Sequence, residues 1–159
     1  MTPKTYTQFG TFSVAVMVPI LILLVIMLII TGLNDPVPSI VMIFVIVTLI
    51  VCLLIFYKLT IDIDDTHVAF KLGIGLVKKK YALKDIAACR PVKNSVLYGI
   101  GIHLTSDGWL YNVSGLYALE LTFKNKKSKV RIGTDKPEEL SETINKLLNK
   151  PGSGSGYST

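Results

Sequence analysis

FSVAVMVPILILLVIMLIITGLNDPVPSIVMIFVIVTLIVCLLIFY, residues 12–57, decides the architecture of this chain. It is two long apolar runs broken by one short polar turn. Residues 12–31 carry no charged side chain, and neither do residues 39–57. Each run is about 20 residues, roughly 30 Å as a helix, which matches the hydrocarbon thickness of a bilayer. Most residues between Val14 and Ile30 are Val, Ile or Leu. At about −0.3 to −0.6 kcal/mol for each such residue, a run of this kind inserts readily. The competing arrangement is a buried helix pair in a soluble protein. It leaves apolar surface on every side of both helices, with too little chain to cover it. The pattern therefore predicts a transmembrane helical hairpin with spans 12–31 and 39–57.

The chain has 159 residues and a formal net charge of +6. Past Tyr57 the sequence turns polar and its apolar residues alternate. Residues 58–150 suffice for one small domain with a core. They hold 16 of the 17 Lys and Arg and ten of the 11 Asp and Glu, so the whole excess of +6 sits there. A basic domain tied to a membrane suits contact with anionic lipid heads; ordinary solubility charge is the alternative. Cys52 falls in the second span and Cys89 in the polar domain, so two lone thiols in a reducing compartment are expected rather than a disulfide. The first run is too long for a signal-peptide core and is followed at once by a second span, so no secretory signal is expected.

The flanks set the orientation. Residues 1–11 read as an N-terminal tail carrying Lys4, with Tyr6, Phe9 and Phe12 near the interface. The turn, residues 32–38, carries Asp35 and no Lys or Arg, whereas Lys58, Lys71 and Lys78-Lys79-Lys80 follow the second span. Positive charge at both ends and none in the turn predicts both termini on the cytoplasmic side of a cell membrane. Gly32 suits the end of the first helix, and Asp35-Pro36 or Pro38-Ser39 the start of the second. Pro19 predicts a kink. Neither span holds Asp, Glu, Lys, Arg or His, and Thr48 and Cys52 are among the few polar side chains inside. Transporters and proton relays normally carry such a group, so the hairpin reads as an anchor, with an oligomerising face as one use for it.

After Tyr57 come short alternating runs: Leu59/Ile61/Ile63, Val68/Phe70/Leu72, Val77/Tyr81/Leu83, Ile86/Ala88/Val92, Ile100/Ile102/Leu104, Trp109/Tyr111/Val113, Leu119/Leu121/Phe123 and Val130/Ile132. Turns are marked by Asp64-Asp65-Thr66, Gly73-Ile74-Gly75, Asp107-Gly108 and Asn125–Ser128. Asp135 with Glu138 forms a capping-box pattern ahead of a helix whose Leu140, Ile144, Leu147 and Leu148 share one face. The expected fold is α+β: the hairpin, then about seven antiparallel strands closed by a C-terminal helix. Residues 151–159 are Gly/Ser-rich and read as a disordered tail.

Four phrases add to this pattern: Leu59-Thr60-Ile61, Ala82-Leu83-Lys84-Asp85-Ile86, Asp107-Gly108-Trp109-Leu110-Tyr111-Asn112-Val113-Ser114-Gly115, and Ile132-Gly133-Thr134-Asp135-Lys136-Pro137-Glu138-Glu139-Leu140. Over residues 58–150 the chain resembles the bacterial PH-like (pleckstrin-homology-like) domains of small membrane proteins of unknown role. The resemblance implies a PH-like barrel on the cytoplasmic side, a binding role rather than a catalytic one, and no family active site.

Eukaryotic relatives of that family often hold phosphoinositides with basic residues in the loop of the first strand pair. Here that loop is Asp64-Asp65-Thr66-His67, which argues against the same mode. The candidate lipid-head contacts are instead Lys78, Lys79 and Lys80, and Lys124, Lys126, Lys127, Lys129 and Arg131. The alternative for them is two solvated strand edges whose lysines block aggregation. No stacking aromatics or reading helix accompany these lysines, so nucleic acid is not an expected partner. Gly73-x-Gly75 and Gly99-x-Gly101 are incomplete as dinucleotide fingerprints. His67 and His103 are lone, and Ser95, Ser106 and Ser114 lack an evident base. No catalytic, cofactor or metal site is expected. Asn112-Val113-Ser114 is a glycosylation sequon on the expected cytoplasmic side. The expected function is a membrane-anchored binding or scaffold protein contacting protein partners, its own copies or anionic lipid heads. The alternative is an accessory subunit of a larger membrane enzyme or transporter.

Overall fold

The computed structural model describes residues 3–31, 36–95 and 98–149. The expected caps at Gly32 and Asp35, Lys150 and the tail 151–159 lie outside the described residues. Helices α1 (Thr11–Thr31) and α2 (Pro36–Phe56) are 21 residues each and long and apolar enough to cross a membrane. Their large apolar side chains, among them Ile22, Leu23, Ile30, Phe44 and Val47, are exposed on several faces. Helix α1 continues through Pro19. The Thr31 and Thr48 hydroxyls donate to the Met27 and Phe44 carbonyls, both at 2.8 Å, so each is satisfied within its own helix.

The N-terminal tail is not a tail. Lys4–Phe9 forms β1, which pairs antiparallel along its whole length with β2 (Lys58–Ile63), from Lys4↔Ile63 to Phe9↔Lys58. The helical hairpin is thus inserted between two adjacent strands of one sheet. Thr5, Tyr6, Thr7, Gln8 and Phe9 are too polar on one face to announce a strand alone; the β2 edge supplies the missing hydrogen bonds. Tyr6 packs against the core and donates its hydroxyl to Glu139 Oε1 at 3.0 Å.

The first sheet has the order β1-β2-β3-β4, with β3 at His67–Leu72 and β4 at Val77–Ala82. A 3-10 turn, Leu83–Asp85, leads to β5 (Ile86–Lys93). The second sheet adds β6 (Gly101–Thr105), β7 (Gly108–Asn112), β8 (Tyr117–Phe123) and β9 (Lys129–Gly133), in the order β5-β8-β9-β7-β6. Among the described residues there are nine strands in two sheets, and the sheets do not close into one barrel. One pair, β7 with β9, is parallel rather than antiparallel. Turn signals specify neighbours in sequence; they carry no information about a partner two strands away.

The core lies between the sheets: Leu59, Ile61, Phe70 and Leu72 from the first, Tyr111, Leu119, Leu121 and Ile132 from the second. Helix α3 (Pro137–Leu148) packs on β5 and β8 through Leu140, Ile144 and Leu147. Its N-cap is Lys136, with no side-chain cap; the Asp135 capping box does not form, and Thr134 Oγ1 accepts the Lys136 N–H instead. In β5 a bulge between Ile86 and Ala88 reverses the alternation expected from the sequence. Cys89 therefore faces the core and Ala88 is exposed.

Candidate functional site

The end of the first sheet that carries the hairpin is the most unusual surface. Two helices leave it with almost no connecting chain: Phe9 ends β1 and Thr11 begins α1, while Phe56 ends α2 and Lys58 begins β2. The Gly10 N–H donates to the Tyr57 carbonyl at 2.8 Å and clamps the two junctions together. A Cβ on Gly10 would lie 2.1 Å from the Phe56 carbonyl oxygen, so only glycine permits this approach. The Ser13 hydroxyl donates to the Val113 carbonyl at 3.3 Å and Gln8 Nε2 to the Ser114 carbonyl at 3.0 Å. Both sheets therefore grip the base of the hairpin.

The β3–β4 turn docks on the same base. The last four carbonyls of a helix lack intrahelical partners. The Leu53 carbonyl takes the Tyr57 N–H at 3.0 Å, and the Leu54 carbonyl takes the Ile74 N–H at 3.2 Å. Gly73 lies at φ +52, and its N–H donates to the Lys58 carbonyl at 2.7 Å. Ile74 and Leu76 are 59% and 63% exposed at this turn.

Strand register orders the lysines by distance from this end. Lys58 pairs with Phe9 at the junction, and Lys78 pairs with Lys71, which pairs with Thr60. Lys80 pairs with Ala69, opposite Asp62, two residues further out. Lys78, Lys79 and Lys80 are all exposed on β4, an edge of the sheet. Lys79 sits opposite Phe70, on the core side of the sheet. An inward charge on an edge strand opposes pairing with another chain.

The late lysines lie at the other end. Lys126 shares a cleft with Lys80, Tyr81 and Asp85, and the Lys124 N–H donates to the Asp85 carbonyl at 2.9 Å. Lys124, Lys126 and Lys127 are exposed, and the structure does not group them with Lys78. Lys129 and Arg131 are half-buried and engaged by carboxylates of the same domain. Glu120, 0% exposed in the middle of β8, takes Arg131 Nε on Oε2 at 2.8 Å and Arg90 Nε on Oε1 at 2.8 Å. Lys129 Nζ lies 3.3 Å from Asp107 and 3.8 Å from Glu120. Burial opposes ionisation of Glu120, but the hydrogen bonds and charges of Arg131 and Arg90 outweigh it and hold the carboxyl below its usual range. The register Arg90↔Glu120↔Arg131 puts all three on adjacent strands. Sequence alternation placed Glu120 off the core face; it gave no sign that two arginines from other strands would cover it.

Other candidate groups have structural occupations. The sequon residue Asn112 is 1% exposed, and its Nδ2 donates to the Gly99 and Gly115 carbonyls at 3.1 and 2.9 Å. A glycan cannot be attached to it in the folded chain. Asp64 Oδ1 accepts the Thr66 hydroxyl and the Thr66 and His67 N–H groups, each at 2.7 Å, and these bonds hold its carboxyl below its usual range. The loop acid therefore builds the turn. His103 Nε2 lies 3.0 Å from the Ile100 carbonyl. Burial pushes the Cys89 thiol up to about 12. Trp109 is half-exposed and stacks on the buried Tyr111, with ring centroids 6.3 Å apart.

Compared with family models, curated proteins and solved structures, the chain matches none.

Proposed function

We propose that this protein is a non-enzymatic, membrane-anchored binding or scaffold module. The two-sheet domain with its C-terminal helix is read as PH-like, and it stands on the cytoplasmic face of a cell membrane. The positive flanks argue for that side. The supporting observation is the insertion of a wholly apolar hairpin between β1 and β2, without linkers and with both junctions clamped. A domain so attached holds a fixed face to the membrane and another to the cytoplasm, which suits holding a protein partner or a second copy in place. The parallel β7–β9 pair departs from a purely antiparallel PH-like plan, and the helix closing one side agrees with it.

The test has two arms. Ser128→Cys in intact cells should resist a membrane-impermeant maleimide and label once the cells are opened. Native mass spectrometry of the protein released in mild detergent should show the chain alone, as copies of itself, or with a soluble partner. Labelling from outside would overturn the orientation. A stoichiometric integral-membrane subunit would overturn the scaffold reading in favour of an accessory subunit.

A further inference from the structure

The two turns that bound β3 differ in chemistry. One is Asp64-Asp65-Thr66, acidic and polar; the other is Gly73-Ile74-Gly75-Leu76, with no polar side chain. The second is the one at the hairpin end. Its Ile74 N–H is bonded to the Leu54 carbonyl, and Leu54 precedes the end of α2 at Phe56 by two residues. At about 1.5 Å per residue, that bond lies roughly 3 Å below the helix end. Helix α2, at 21 residues, is about as long as the hydrocarbon layer is thick, so its last turn lies at the boundary with the lipid heads. The turn bonded to that last turn cannot stand clear of the boundary.

We infer that Ile74 and Leu76 insert into the same bilayer that the hairpin crosses, so that the β3–β4 turn is an additional membrane contact. This rests on the membrane-anchored reading above. Ile74 and Leu76 are 59% and 63% exposed, and Phe9 and Phe12 are 62% and 63% exposed at the same end. Phe9 is on β1 and Leu76 adjoins β4, the two edges of the sheet. The hairpin leaves from β1 and β2, so an apolar contact at the far edge, beside β4, restrains rocking of the domain. Charge follows in the right place. Lys71 and Lys78 are paired, and Lys78 is two residues, about 7 Å, beyond Leu76. Lys80 is four residues beyond, roughly 13 Å, outside a physiological Debye length of about 8 Å. The contact is therefore mainly apolar, with Lys78 next to the lipid heads and Lys80 clear of them.

The full-length chain carrying Cys52→Ala and Cys89→Ala is reconstituted in phosphatidylcholine vesicles, with and without phosphatidylglycerol. A bimane label is placed singly by Ile74→Cys, Leu76→Cys, Asn125→Cys or Val45→Cys. At positions 74 and 76 the expected result is blue-shifted emission, quenching by lipids with shallow acyl-chain nitroxides, and loss of quenching by aqueous iodide. Because apolar burial is not screened, this should persist in high salt and without phosphatidylglycerol. The Asn125 label should be quenched by iodide and not by the lipids. If position 45 is quenched by deep nitroxide lipids while 74 and 76 behave like 125, this inference fails and the anchor stands. If position 45 is not quenched by those lipids, the membrane reading itself fails. Shielding of 74 and 76 from both quenchers would show a protein surface covering the turn, and would also overturn the inference.

Discussion

Gly73→Ala tests the junction on which the position of the domain depends. A Cβ at Gly73 would stand 1.8 Å from the Leu54 carbonyl oxygen, 2.7 Å from the Ile55 carbonyl oxygen and 2.8 Å from the Leu54 carbonyl carbon. All three atoms are backbone, so no rotamer change relieves the overlap. Residue 73 must withdraw by more than 1 Å, which breaks the bonds from Gly73 to Lys58 and from Ile74 to Leu54, at 2.7 and 3.2 Å. Those bonds contribute about 1 kcal/mol each. The φ of +52 adds about 1 kcal/mol of left-handed strain for any residue with a Cβ. The sum is about 3 kcal/mol. Gly75→Ala is the matched control: φ is +95 there, but a Cβ meets nothing within 4 Å. It should cost only the backbone term, about 1 kcal/mol. The assay is thermal denaturation of the full chain in mild detergent, followed by the fluorescence of Trp109, the one tryptophan. At about 2–4 °C per kcal/mol for a chain of this size, Gly73→Ala should lower Tm by about 10 °C and Gly75→Ala by about 3 °C. Equal shifts would refute the close packing of this turn on α2.

Leu140→Ala, at a side chain with no exposure, should cost about 3 kcal/mol, and Leu147→Ala, at 8% exposure, somewhat less, both read as Tm in the full chain. The full chain is required because a fragment starting at residue 58 lacks β1 and leaves the β2 edge unpaired. Glu120→Gln should destabilise at neutral pH by about 2 kcal/mol, since it weakens the charged hydrogen bonds from Arg131 and Arg90. Because the folded carboxyl titrates below its usual range of about 4.3, its contribution is complete above that pH and is lost as pH falls through the lowered value. Denaturation midpoints between pH 5 and 2 should thus fall more steeply for the wild-type chain than for Glu120→Gln; parallel curves would refute the assignment. Cys89, buried with its thiol pushed up to about 12, should react with a small disulfide reagent at pH 8 only as fast as the domain opens, and rapidly in denaturant.

The sequence alone determined the elements whose cause is local. The two apolar runs are legible because about 20 uncharged residues have one stable environment, and the observed helices begin and end close to the expected spans. The strands from Lys58 onward and the apolar stripe of α3 were legible for the same reason, as one-face alternation or helical spacing records burial directly. The four-residue turn at Gly73 showed its glycines but not its neighbour. Whatever depended on residues distant in sequence was decided only by the tertiary structure. Strand β1 exists because β2 offers it an edge after an excursion of 48 residues, from Phe9 to Lys58. The parallel β7–β9 pair and the bulge that turns Cys89 inward come from sheet register, which a linear pattern does not encode. The lysines looked alike in sequence. Register divided them into Lys71 and Lys78 beside the hairpin, Lys80 and Lys126 at the far end, and Lys129 and Arg131 committed to Asp107 and Glu120. A side chain's charge is written in the sequence, but its distance from a membrane or a partner charge is set by the packing of segments that meet only when the chain folds.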